Sequence, residues 1–228
     1  MDDPSIRRVG AWAAFGVALA YLLTGVCAVL MPPELQGRPD VSPHEFWLAL
    51  SRDPTAHLAF HGAWVLAGLC GIAAVPAVSL LVGPGRRGAL GWPALAAGLG
   101  FAVMARSHLM EVAFDRRVIP VYPTADPAFQ QAVHVVAGLA LDVPDGVLTY
   151  GAPAVWIAAL CALGRRAGAL PRWFAALGFA TSAVLAAGVV GYGLALRPFV
   201  VIAVGVGGFA LVPAWFASAG ALLLRPRG

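Results

Sequence analysis

Residues 55–82 read TAHLAFHGAWVLAGLCGIAAVPAVSLLV. This run decides the fold. It exceeds the roughly 20 apolar residues that carry a helix across a bilayer core, and it holds no acidic or basic residue apart from His57 and His61 near its start. An imidazole in hydrocarbon is costly and is kept mainly for a ligand, a pathway or a buried pair. The run therefore gives both a membrane span and a pointer to function.

Working outward, the sequence predicts six spans, at about 9–31, 55–82, 89–113, 128–163, 172–195 and 198–224. Asp53-Pro54 and Asp126-Pro127 pair a helix-capping side chain with proline at the first helical position, and Pro171 and Pro198 open the last two spans. The fourth run is too long for one crossing. It is expected to project beyond the bilayer at its start and to kink at Pro144 and Pro153, where proline breaks the helical hydrogen-bond ladder. Between the first two spans, Ser42-Pro43-His44-Glu45 is a capping-box pattern followed by Phe46, Trp47, Leu48 and Leu50. The expected fold is all-α, one domain over 1–228. It is a polytopic transmembrane bundle of about six helices with a short interfacial helix on the outer side.

Composition agrees. The chain has 228 residues, 60% apolar and 11% charged, against roughly 25% charged in soluble domains. Its net charge of +4 comes from arginine without any lysine, which excludes lysine Schiff-base chemistry. Arginine pairs such as Arg86-Arg87 and Arg165-Arg166 are dispersed at helix turns, so they set orientation and do not form a nucleic-acid footprint. Cys27, Cys70 and Cys161 lie in separate apolar runs without disulfide or zinc spacing. The run after Arg7-Arg8 is longer than a signal-peptide core and is expected to stay as an anchor. Walker, Rossmann and GxSxG signatures are absent from the sequence.

Helical periodicity sorts the polar residues into three stripes. They are His57, His61 and Gly68; His108, Glu111 and Asp115; and His134, Gly138, Asp142, Asp145 and Thr149. Lipid offers them no partner, so they are expected to face one another. A carboxylic acid in an apolar cavity can protonate an alkene, epoxide or ether oxygen while a second group takes the proton back. Glu111 and Asp142 are the candidates for this acid–base pair, with Asp145 in reserve. His57, His61, His108, His134 and Thr149 would line the substrate. The substrate would be apolar, isoprenoid or lipid-like, drawn from the surrounding membrane lipids, and the reaction would need no cofactor.

A second reading uses the histidines. His57 and His61 at i, i+4 can hold one divalent metal ion with His108, His134 or a carboxylate completing the set, giving a membrane hydrolase or oxidoreductase. Bis-histidine haem is the weaker form of this reading. A third reading is a non-enzymatic transporter, ligand-binding or assembly protein. On it, Glu111 only balances Arg106, Arg116 or Arg117, and the aspartates solvate the break at Pro144.

There is a faint internal repeat. Pro76-Ala77-Val78 with Arg86-Arg87 is echoed by Pro153-Ala154-Val155 with Arg165-Arg166, and an ungapped count sets His57 opposite His134.

Leu170-Pro171-Arg172-Trp173-Phe174-Ala175-Ala176-Leu177-Gly178, Val212-Pro213-Ala214-Trp215 and the terminal Leu-Leu-Leu-Arg resemble an uncharacterised family of small polytopic bacterial membrane proteins of actinobacterial type. These motifs are structural. In size and in its intramembrane Glu/Asp content the chain also resembles integral-membrane terpene cyclases, which implies protonation of a prenyl substrate by acidic side chains. Those enzymes have seven spans, against six here. The HxxxH of His57 and His61 is similar to that of ceramidase-type and adiponectin-receptor-type hydrolases, where it comes last in the chain instead of early.

Arginine bias orients the chain. Arg7, Arg8, Arg86, Arg87, Arg165, Arg166, Arg172, Arg225 and Arg227 fall on one side, and Arg38, Arg52, Arg106, Arg116, Arg117 and Arg197 on the other. The richer side is expected to be the cytoplasmic face of a bacterial-type cytoplasmic membrane, with both termini inside. With Cys27, Cys70 and Cys161 replaced by alanine, a cysteine placed at Gln36 or Thr124 should react with an impermeant thiol reagent in intact cells. Labelling only after lysis would reverse the orientation.

Overall fold

The computed structural model describes residues 4–36, 40–140, 146–194, 196 and 203–225. The described residues are mostly helical, without strands. Helix α1 covers Pro4–Leu30, α2 Pro43–Arg52, α3 Thr55–Ser79, α4 Arg87–Val118, α5 Pro127–Ala140, α6 Ala152–Arg166, α7 Arg172–Gly193 and α8 Val212–Leu224. Six stretches are long and apolar enough to cross a membrane: Pro4–Leu30, Thr55–Val82, Arg87–Val118, Val147–Arg166, Arg172–Gly191 and Gly205–Leu224. This is a multi-pass membrane protein.

Within the expected fourth run, 128–163, the stretch long and apolar enough to cross is Val147–Arg166; α5 precedes it, and residues 141–145, with the expected break at Pro144, lie outside the described residues. The entry to this crossing is a wide π-helical turn, Val147–Gly151, just ahead of Pro153. A second π segment, Ala203–Leu211, precedes Pro213 in the same way. Proline cannot donate to the carbonyl four residues back and its ring crowds it, so the preceding turn widens. The two hairpins of the proposed repeat, α3–α4 and α6–α7, both pack as neighbours. Their first arms differ at the proline, where α3 stays α-helical through Pro76 and the chain ahead of Pro153 is a π turn.

Caps follow the sequence reading. Ser42 accepts from the Glu45 amide at 3.2 Å, and the Ser42 amide donates to the Glu45 carboxylate at 2.8 Å. The Ser42 amide and then its hydroxyl, both donating to the carboxylate, hold the exposed Glu45 carboxyl below its ordinary value. Asp53 receives the Thr55 amide and Asp126 the Phe129 amide. At the opposite end, arginines close helix C-termini, where carbonyls lack partners and the dipole favours cations. Arg7 donates to the Leu223 carbonyl at 2.9 and 3.1 Å, and Arg86 to that of Leu163 at 3.2 Å.

The spans pack in a ring: α1 against α3 and α8, α3 against α4, α4 against α6, α6 against α7, and α7 back to α8. An aromatic core fills the arginine-rich half. Trp215 stacks on Phe174 with centroids 5.4 Å apart and meets Trp156 edge-on at 5.5 Å. The Trp156 indole donates to Ser79 at 3.0 Å. A separate small core closes the other end, built from Met31, Leu35, Trp47, Leu50, Val118, Tyr122 and Val133. Helix α2 plugs into it through Trp47 and Leu50.

The α3–α4 contact is the tightest point relevant to the polar residues. A Cβ on Gly68 would lie 2.6 Å from the Phe101 carbonyl oxygen and 2.7 Å from the Ala105 nitrogen. Both are backbone atoms that cannot move aside, so only a glycine lets the helices approach this closely. Gly68→Ala is expected to lower stability by about 1–3 kcal/mol through overpacking. Gly98→Ala, where a Cβ meets nothing within 4 Å, should be close to neutral. Thermal unfolding of the purified protein in detergent compares the two.

Candidate metal centre

Helices α3 and α4 run antiparallel, and each carries ionisable side chains four residues apart. The spacing on one matches the spacing on the other, so the pairs meet as rungs. His57 Nε2 lies 3.2 Å from Asp115 Oδ2. One turn further in, His61 Nδ1 lies 2.5 Å from Glu111 Oε2. His108, three residues before Glu111, joins the second rung. Its Nδ1 is 2.9 Å from Glu111 Oε2 and 2.9 Å from His61 Nδ1. Asp115 is 3% exposed and His61 8%, while Glu111, His108 and His57 are part-buried.

The inner rung is a triangle of two imidazole nitrogens and one carboxylate oxygen. An imidazole nitrogen presents either one proton or one lone pair, in one direction. It cannot aim that at two neighbours at once, so the three contacts cannot be three aligned hydrogen bonds. A cation against the triangle would resolve this, because each lone pair could then be given to one shared centre. Donors bonded at about 2.1 Å in cis positions of an octahedron sit about 3 Å apart, and in a tetrahedron about 3.4 Å. The observed edges need only a small outward relaxation to meet the former. His61, His108 and Glu111, and equally His57, His61 and Asp115, each bring their donor atoms within 4.8 Å of one another.

The surroundings are aromatic. Trp64 stacks on the His108 ring with centroids 5.6 Å apart, and Phe46 of α2 meets His57 edge-on at 5.7 Å. A cavity of about 330 Å³ opens between the end of α1, the turn at Pro33–Leu35 and α3, lined by Ala28, Met31, Leu35, Gln36, His57, Phe60 and His61.

A second polar group lies under α2. Tyr122 Oη is 2.6 Å from His134 Nε2 and 3.0 Å from His44 Nδ1. Its single proton goes to one ring, and the other ring donates to its oxygen. Ser51 adds a bond from α2 to the Ile119 carbonyl at 3.1 Å. The group is a clasp joining α2 to α5.

The structure thus gathers His57, His61, His108 and Glu111, and it places His134 in the clasp instead. Thr149 is buried on the π turn. The adjoining Leu148 carbonyl lies 2.5 Å from where a Gly100 Cβ would be, and Gly100 is about two turns inward of His108 along α4. Asp142 and Asp145 fall outside the described residues. Asp115 was visible in its stripe but not assigned a role. His44 was read only as part of a capping box. Tyr122 sits in a connection with no periodicity, and the sequence carried no signal for it. Searches of protein-family models, curated proteins and solved structures find no match to this chain.

Burial holds the Tyr122 phenol above its ordinary value. Burial first, and then the nearby His44 charge, hold His134 below the usual 6.5. A histidine depressed in the folded state contributes stability that is present above its unfolded value and lost as pH falls through the folded one. Amide protection over 43–52, corrected for the intrinsic pH dependence of exchange, should therefore fall as pH drops below 6.5. Tyr122→Phe should raise that exchange already at neutral pH, by an opening cost of about 1–3 kcal/mol for the unpaired groups. Exchange in this variant equal to wild type would remove the clasp.

Proposed function

We propose that this protein is an integral-membrane metalloenzyme that holds a divalent transition-metal ion through His61, His108 and Glu111 and acts on an apolar, lipid-like substrate. The observation that carries the reading is the convergence of three donor atoms from two helices on one point in a largely buried setting. Such an ion, when bound, polarises a carbonyl or phosphoryl oxygen and makes its bound water more acidic. Three protein ligands leave coordination positions for water and substrate.

The chain's own residues supply the rest. His57, backed by Asp115, lies one turn from the triad and on the cavity wall. It can orient a substrate oxygen or carry a proton. Met31, Leu35 and Phe60 give that cavity apolar walls for a chain or an isoprenoid segment, and Gln36 adds one polar contact. Trp64 and Phe46 keep water from the far sides of the imidazoles. In this reading α2 lies at the outer interface of a bacterial-type cytoplasmic membrane, both termini are cytoplasmic, and substrate enters from the outer leaflet. Acid–base catalysis by Glu111 without metal fits the geometry less well. Its Oε2 is already shared by two imidazoles, whereas a general acid must turn its proton toward substrate.

Protein purified from membranes without chelator should retain a divalent transition metal by elemental analysis. Glu111→Gln and His108→Ala should each weaken it by about tenfold or more, the range that even outer-sphere partners command. Asp142→Asn and His134→Ala should keep it. Zinc, which has no redox chemistry of its own, would favour hydrolysis, and iron or manganese would admit redox chemistry as well. Metal-free wild-type protein that cannot be loaded would overturn the proposal and return the carboxylates to acid–base duty.

A further inference from the structure

We propose that the two rungs hold two divalent transition-metal ions at once, with His61 as the shared ligand. This rests on the reading of His61, His108 and Glu111 as one ion's ligands and adds a second position formed by His57 and Asp115. His57 Nε2 and Asp115 Oδ2 are 3.2 Å apart, and with a ring nitrogen of His61 they form a donor set within 4.8 Å. The His61 ring has His57 at a centroid distance of 4.5 Å and His108 at 5.1 Å. Its Nδ1 faces His108 and Glu111. Nε2, across the ring, is left for the other ion.

Charge supports double occupancy. Binding through both nitrogens releases the His61 ring proton to solvent and leaves an imidazolate. That anion and the carboxylates of Glu111 and Asp115 offset three of the four positive charges of two dications. A hydroxide from water offsets the last. Neutrality matters here, because an uncompensated charge within a span is expensive. A single ion at the inner triad would leave Asp115, 3% exposed, balanced only by His57. The cavity that His57 and His61 share gives both ions a way in.

Copper(II) serves as the probe, because two copper ions joined by an imidazolate couple magnetically and lose the isolated-ion signal. The full chain in detergent is loaded with copper(II), desalted, and analysed for copper content and by electron paramagnetic resonance. Wild type should hold two ions per chain with a coupled signal. Asp115→Asn and His57→Gln should each hold one, with an uncoupled signal, and elute as wild type on gel filtration. His134→Ala should remain at two and coupled. One uncoupled ion in wild type, lost in Glu111→Gln, would overturn the second position and leave the first standing. No ion in wild type would overturn both. Two uncoupled ions, one of them lost in His134→Ala, would place the second ion at the Tyr122 clasp and sink the proposal. If the Asp115 and His57 variants fail to fold, the wild-type count and coupling still decide.

Discussion

The histidine–carboxylate rungs depend on how closely α3 and α4 approach. Lipid is as apolar as leucine, so burying apolar surface does not drive helices together within a bilayer. Close packing and polar contacts must do it. Gly68 removes the side chain that would hold the pair apart at the Phe101 carbonyl, and Gly71 does the same beneath the Phe101 ring. Two turns away, the reduced separation lets short side chains span the gap, so Asp115 reaches His57 and Glu111 reaches His61. The glycines and the rungs share one register. A shift along either helix would cost both the packing and the polar contacts.

The end of the bundle is finished by a different device. Helix α2 is too short to span and amphipathic enough to lie against the bundle. Its apolar residues enter a small core of their own, and its Phe46 closes over His57. Covering the rungs with aromatic rings lowers the local dielectric, which strengthens attraction between correctly paired charges and punishes unpaired ones. The clasp under α2 therefore bears on the histidine–carboxylate rungs without touching them. Loosening His44, Tyr122 and His134 would lift Phe46 and Trp47 and let water reach His57.

Much of this was legible in the sequence. Run lengths gave six spans, and the Ser42, Asp53 and Asp126 caps appear where their chemistry placed them. Period 3.6 put His57 with His61, and His108 with Glu111 and Asp115, on common faces. What periodicity cannot supply is the rotation of each helix and the register between helices. These are set by small residues and by the turn at 83–86, where Gly83 takes a φ of +83°. So His134, in a stripe that looked equivalent, turns to Tyr122, and Asp115 becomes a partner instead of a bystander. The fourth run exceeds one crossing by its length alone, and α5 lies in the excess ahead of Val147–Arg166.

Whether the rungs exist only to hold helices together can be argued from cost. A buried ion pair is often no more stabilising than apolar side chains of similar volume, because desolvation offsets the attraction. Serine pairs or a leucine seam beside Gly68 would join α3 and α4 with less exposure to misfolding. The arrangement here is more elaborate. It brings three imidazoles and two carboxylates together at adjacent turns, with one triangle whose contacts cannot all be aligned hydrogen bonds. Hydrogen-bonded glue would place each proton between one donor and one acceptor, as the Trp156–Ser79 contact does elsewhere in the same bundle. Three donor atoms within 2.9 Å of one another exceed what paired hydrogen bonds need, and that crowding is what favours the proposed cation over a structural seam.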